Sequence, residues 1–330
     1  MVIGDYSYDV TAFKGKGAMV CGVPGPEKNR VPAKHPGGSV ISFYDNMDAT
    51  DVFTAFHLRS ERAQKWLETL PRRPVIKEDP SDASPLMNDF RQLQRDLVRE
   101  GMFDPIWSIQ ILRLLEVLGL QVFGLWVVLN YSWVLGGLIY GLVVGRNGLL
   151  MHDMGHRGAG LVLGVLLCLF LFSAAFFCNM RLDKLIHTYF FAAGITGSAA
   201  FWNNQHNKHH AATQELNHDT DLATLPIVAF HKEIAKEGSQ SYLRYQWLVF
   251  LPAQLLLFFY WKFTHFRHAV RTKNWPEAVS IVMHQIVTLA ICIHGGAGIG
   301  GWIVYQSIGY AWGGFYLATT FSMNHTVTTA

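Results

Sequence analysis

Two short strings hold five of the chain's 15 histidines at spacings a metal ion could use. In His152-Asp153-Met154-Gly155-His156 the histidines stand at i and i+4, one above the other on a helix face, as two ligands from one helix must. In His206-Asn207-Lys208-His209-His210 the same spacing joins His206 to His210, with His209 beside them. A lone histidine on an apolar helix is ordinarily a structural residue with a satisfied ring. Five in two clusters, flanked by membrane-length apolar runs, are too many for core packing. Imidazole-rich ligation without thiolates suits iron, copper or zinc, and spacing alone does not choose among them.

A second pair lies near the N-terminus. His35-Pro36-Gly37-Gly38 is a tight turn that lets a planar group approach the backbone beside an imidazole. His57 closes the apolar helical run Val52-Phe53-Thr54-Ala55-Phe56. Taken singly, each reads as a turn residue or a helix-end cap. Facing one another, two neutral imidazoles could ligate a haem iron from both sides.

The elements that must position these histidines are of two materials. Of 51 charged residues among 330, residues 1–105 hold 29 and the remaining 225 positions only 22. The front can therefore form a small soluble domain, while the apolar remainder carries runs suited to the ~20 residues of a bilayer span. A single water-soluble domain is excluded. The net charge of +3 shows no dense basic block, so no nucleic-acid partner is expected. Cys168, Cys178 and Cys292 sit in apolar runs and no CxxC occurs, which argues against a disulfide scaffold or zinc knuckle. The first ten residues lack the basic and apolar regions of a secretory signal. Val2-Ile3, a Gly4-Asp5 turn and residues 6–10 read as a β-hairpin. Residues 71–105 read as a Pro-rich charged linker followed by a helix from Asn88 to Gly101.

YDVTAF, HPGG and DATDVFTAFH over residues 1–70 resemble the haem-binding core of cytochrome b5, in the form fused to membrane fatty acid desaturases. The resemblance implies that His35 and His57 are axial ligands of haem b, and that Asp45, Asp48 and Asp51 form part of an acidic face for a reductase. HDMGH and WNNQHNKHHAATQELNHDTDLATLP resemble the first and second histidine boxes of front-end fatty acid desaturases, over most of residues 105–325. That family implies two non-haem iron ions, O₂ as co-substrate, and insertion of a double bond between an existing one and the carboxyl end of a fatty acyl lipid or acyl-CoA. Carried onto this sequence, His152, His156, His206, His209 and His210 are iron ligands. Asp153, Asn207 and Asp219 become acceptors orienting the imidazoles. Phe321-Ser322-Met323-Asn324-His325 resembles the family's Asn-His element, making His325 a further ligand and Asn324 a partner for a metal-bound water. The fused haem domain is the expected electron source, fed by cytochrome b5 reductase with NADH, and tethering raises its effective concentration.

The expected architecture is an α-helical integral membrane desaturase domain of about four spans over 106–330, preceded by a small α+β cytochrome b5-like domain over 1–70. The expected location is the endoplasmic reticulum, with the haem domain and histidine boxes cytosolic. Sharing a metal centre requires an even number of spans between boxes. Residues 109–129, 132–150, 279–294 and 299–321 are the expected spans, and the basic flanks of 246–261 make it an interfacial helix among membrane lipids. Residues 14–33 and 161–178 read as insertions. The family's Gln/His-x-x-His-His box does not follow His325, and the isolated His284 and His294 do not replace it, so the sequence reads as incomplete at both ends. Rival expectations are a sphingolipid desaturase or hydroxylase using the same ligands, and a catalytically silent, membrane-tethered haem protein.

Overall fold

The computed structural model describes residues 1–13, 35, 37–58, 60–75, 84–104, 106–156, 187–188, 191–222, 227–230, 233–235 and 241–325. Both stretches read as insertions lie outside the described residues. The chain divides into two compact units, Met1–Asp104 with Asn204–Asp221, and Pro105–Asn203 with Leu222–Ala330.

In the first unit the expected hairpin is present. Strands β1 (Val2–Ile3) and β2 (Tyr6–Tyr8) pair antiparallel with Val2 opposite Ser7 and Ile3 opposite Tyr6. Gly4 takes φ 60° at the first turn position, a conformation that glycine adopts without strain. A third strand, β3 (Arg72–Pro74), pairs with β2 inside the segment read as linker. Its composition hid it, since Arg and Pro carry no strand pattern, but Pro is tolerated on a sheet edge. Ile3, Tyr8, Val10, Phe13, Ile41, Ala49 and Leu70 form the core. Around it lie a 3-10 helix over Gly38–Tyr44, α1 (Thr50–His57) and α2 (Glu61–Thr69).

Helix α3 (Pro85–Arg99) starts three residues before the expected Asn88, because the Ser84 hydroxyl accepts the Met87 N–H at 3.2 Å and Pro85 opens the first turn. Arg91 on α3 holds Asp51 with two hydrogen bonds of 2.8 Å, and Asp48 accepts the Thr50 N–H at 2.8 Å. Two of the three carboxylates read as an acidic docking face are thus engaged within the unit. The described residues make a small α+β unit, as expected, but three short strands do not by themselves define a haem-binding fold.

The second unit is helical. Helices α4 (Trp107–Asn130) and α5 (Trp133–Gly155) form a hairpin whose turn is stopped by the Ser132 cap, its hydroxyl accepting the Leu135 N–H at 3.3 Å. Short α6 (Phe191–Ile195) leads to α7 (Ala199–Ala211), which carries the second histidine string. Then follow α8 (Gln246–Arg271), α9 (Trp275–His294) and α10 (Gly298–His325). Tyr140, Val143, Val144, Leu150, Met154, Tyr305 and Leu317 lie in the core between α5 and α10, while Leu112, Val122, Trp247 and Phe263 point outward.

Among the described residues four helices are long and apolar enough to cross a membrane: Ser108–Asn130, Trp133–Gly155, Tyr242–Arg271 and Trp275–His294. The number agrees with expectation but the membership differs, since α8 qualifies and α10 does not. Gln306, Ser307, and the tyrosines and glycines of α10 lower its apolarity, and they do so because α10 faces protein. Gly141 on α5 lies under Trp312, where an added Cβ would come 2.8 Å from the Trp312 Cβ. Gly148 likewise lies under Leu317, at 2.7 Å from its Cδ2. Small residues that let helix backbones approach are the usual means of association where no water drives it.

The register Gly137 to Ile308, Gly141 to Trp312, Gly145 to Tyr316 and Gly148 to Leu317 makes α5 and α10 parallel. Contacts of α8 fall on Tyr310, Gly314, Thr319 and Phe321, the half of α10 nearer His325. The expectation that 246–261 forms an interfacial helix is not supported, since the helix that contains it is long and apolar enough to cross a membrane.

Candidate metal centre

The first histidine string closes α5. His152 and His156 sit one turn apart with ring centroids 4.8 Å from each other. The carboxylate of Asp153 lies 3.4 Å from His152 Nδ1, a long contact, and its other oxygen accepts from Arg113 on α4. Glu116 and Arg146 pair at 2.8 Å a little further along the same hairpin. Gly155 is fixed by its neighbours: a Cβ there would lie 2.7 Å from the Trp202 ring, 3.2 Å from Asn203 Oδ1 and 3.4 Å from His187 Nε2. Extending the parallel register of α5 and α10 puts residue 325 level with residues 154–156. The His325 backbone therefore ends α10 beside the end of the first string, while its side chain lies outside the described residues.

The helix that carries the second string begins at a buried polar anchor. Ser198 caps α7, its hydroxyl accepting the Phe201 N–H at 3.1 Å and donating to the Glu277 carboxylate. Glu277 also accepts the Ala200 N–H at 3.0 Å, and the Ser198 N–H donates to His265 Nδ1 at 2.9 Å. Glu277 and His265, on α9 and α8, were invisible to sequence reasoning. Only the Ser198 cap had a local signal.

Further along α7, His209 is buried with its Nδ1 at 2.9 and 3.0 Å from the two oxygens of Asp219. Asp219 in turn accepts the N–H groups of Gln214 at 2.8 Å and Asp221 at 2.9 Å. Burial raises the Asp221 carboxyl, His209 opposing and Asp219 adding to the rise. His209, Asp219 and Asp221 bring ligand atoms within 4.8 Å of one another. Because the carboxylate occupies Nδ1, the imidazole is oriented to offer Nε2, the arrangement typical of metal-ligating histidines.

His206 and His210 present Nε2 atoms 2.9 Å apart. Two ligands at roughly 2.1 Å and at right angles on one ion would stand about 3 Å apart, so the pair fits a single metal.

Within the first unit His35 and His57 face one another with ring centroids 6.1 Å apart. Imidazoles on opposite sides of one iron, bonded at roughly 2 Å, would have centroids about 6 Å apart. Burial lowers the His35 pKa and keeps the ring neutral. Its Nδ1 accepts the Gly37 N–H at 3.2 Å, a bond that ligation through Nε2 would exchange for donation from Nδ1. The segment after His35 also meets the end of the second string in the same unit. The Tyr44 hydroxyl donates to the Ala211 carbonyl, and the Phe43 ring lies 4.9 Å from that of His218. Burial, then the charge of Glu215, raises the Tyr44 pKa.

Four helices are long and apolar enough to cross a membrane, and the histidine clusters could hold a metal ion. Comparison with known proteins gives the family. The chain is 33% identical to an acyl-lipid (8-3)-desaturase of Rebecca salina over 99% of its own length and 69% of that protein. It is 32% identical to an acyl-lipid (8-3)-desaturase of Thraustochytrium sp, covering 89% of this chain and 68% of that one. Delta(5) fatty acid desaturase fat-4 of Caenorhabditis elegans is 26% identical over 88% of the chain and 70% of its own length. No family model and no solved structure matches. The chain belongs to the fatty acid desaturases, membrane oxidoreductases.

Proposed function

We propose that this chain performs front-end desaturation of polyunsaturated acyl lipids, with His152, His156, His206, His209 and His210 holding two irons and His325 as a further ligand. The observation that carries this reading is the His206–His210 pair beside a His209 ring fixed by a buried carboxylate. Iron held there would supply the activation of O₂ needed to remove two unactivated hydrogens from an acyl chain. The protein's part is positional. Asp219 fixes the His209 tautomer, the Ser198–Glu277 anchor fixes the start of α7, and Gly155 admits Trp202 against the first string. The similarity to relatives named for acyl-lipid and Delta(5) desaturation supports the substrate class.

In this proposal His35 and His57 bind haem b, and electrons pass from NADH through cytochrome b5 reductase to the haem module and on to iron. The protein resides in the endoplasmic reticulum with both histidine-bearing regions on the cytosolic side. Expression in a host lacking polyunsaturated acids, fed with 18- and 20-carbon polyunsaturated acids, tests the activity. A new double bond on the carboxyl side of an existing one is expected. A hydroxylated product without a new double bond would overturn desaturation in favour of a hydroxylase. A Soret band lost in H35A and H57A is the expected haem signature, and an intact band in both variants would remove their axial role.

A further inference from the structure

Outside both histidine strings, one imidazole is placed for ligation by the fold alone. His187 is 7% exposed, and its Nε2 has no hydrogen-bond partner among the described residues. A buried unpaired polar atom is uncommon in folded proteins and calls for an explanation. The ring is set edge-on to Trp202, with centroids 6.1 Å apart, while His152 meets the same indole from another side at 5.6 Å. The His187 Nε2 is aimed at Gly155, within 3.4 Å of where a Cβ would stand, next to His156 in the chain. Three imidazoles, His152, His156 and His187, thus surround one corner made by Gly155 and Trp202. Glycine at 155 lets the Trp202 ring and His187 close on the end of α5, where a Cβ would stand 2.7 Å from the indole.

We propose that His187 is a further metal ligand, presenting Nε2 to the ion held by the first histidine string. This inference rests on the metal-binding reading of that string. It assigns a ligand that no box spacing contains, because His187 stands 31 residues beyond His156 in a segment with no second histidine nearby. A purely structural histidine would instead be expected to satisfy both ring nitrogens, or to be replaceable by an apolar ring of similar size without consequence for metal.

The full chain, purified in detergent without metal and titrated with Co²⁺, separates the possibilities. H187F keeps an aromatic ring in the pocket and removes the nitrogen. Its Co²⁺ affinity should fall about 100-fold or more, since even partners one shell out cost 10–100-fold. H187C should restore binding and add a thiolate-to-cobalt charge-transfer band in the near ultraviolet, a signal that only direct coordination produces. Size-exclusion profiles of both variants report folding, and H187C keeps the test alive should H187F fail to fold. If the wild-type chain binds Co²⁺, H152A loses it, and H187F binds as wild type with no charge-transfer band in H187C, the box reading stands and the His187 ligand is overturned. If the wild-type chain binds no Co²⁺, the box reading itself fails and takes this inference with it.

Discussion

The two histidine strings carry the same i, i+4 spacing but are held by different physics. The first ends a helix seated by packing: glycines on α5 receive Trp312 and Leu317 of α10, and His152 meets Asp153 at 3.4 Å and the Trp202 ring edge-on. The second is held by hydrogen bonds: Asp219, buried, grips His209 Nδ1 and two backbone N–H groups. Packing fixes a backbone and leaves the rings some freedom, whereas a carboxylate fixes the ring itself. The first string should therefore fail when helices are pushed apart, and the second when a single polar atom is removed.

Pushing the helices apart gives the largest expected effect. In G141L the side chain has no space against Trp312, and overpacking a tight helix pair costs about 3 kcal/mol or more. Folded chain recovered in detergent, read by fluorescence-detected size exclusion, should fall to near background. G119A on α4, where nothing lies within 4 Å of an added Cβ, should leave it unchanged. Normal recovery of G141L would show that packing does not place the first string.

Removing the carboxylate tests the other half. D219A removes the nearer carboxylate from the buried His209 imidazole and the acceptor of two part-buried N–H groups, at a cost of about 2 kcal/mol. Co²⁺ affinity should drop 10–100-fold. D219N, which keeps an acceptor oxygen, should fall between wild type and D219A. Equal affinities in all three would mean that His209 is not oriented through Nδ1.

The same contrast explains what could be read from the sequence. Both strings, the hairpin at Gly4 and the apolar helices were legible because each is a local pattern of spacing or composition. Long-range partners were not. Glu277 stands 79 residues from Ser198 and His265 stands 67 away, and neither lies in a motif. Strand β3 was missed because Pro74 and two arginines look like linker until Tyr6, Ser7 and Tyr8 are there to pair with them. Asp51 looked like part of an acidic docking face until α3 brought Arg91 to it. The topology was legible in number and less so in membership, because hydropathy measures affinity for lipid whereas α10 is selected to fit α5. Asp219 was the exception among polar partners: it stands ten residues from His209, near enough for the resemblance to include it.

A smaller effect is expected where the polar anchor enters the packed unit. E277Q keeps an oxygen for the Ala200 N–H but weakens the bond from Ser198, at about 1–2 kcal/mol, since bonds to charged groups are the stronger ones. Thermal unfolding of the detergent-solubilised chain should shift down, with Co²⁺ stoichiometry retained because no ligand is touched. Lost stoichiometry with an unchanged midpoint would instead place Glu277 among the metal-binding groups.

The smallest effect should come from the far end of α7, where the second string meets the Phe43–Tyr44 segment within the first unit. The Tyr44 hydroxyl donates to the Ala211 carbonyl one residue past His210, and Phe43 lies against His218, next to Asp219. Y44F removes one hydrogen bond from a partly buried site and leaves the ring contacts, so about 1 kcal/mol is expected. The His209–Asp219 bonds do not depend on that hydroxyl, and Co²⁺ affinity should change less than threefold. F43A removes the ring that packs on His218 and should loosen the segment more than Y44F does. Hydrogen exchange over 211–222 reads the difference, with F43A exchanging faster than Y44F and both faster than wild type. If Y44F lowered Co²⁺ affinity as far as D219A, the second string would depend on its contact with Tyr44 as much as on its own carboxylate, and the contrast between packing and hydrogen bonding would have to be redrawn around Tyr44.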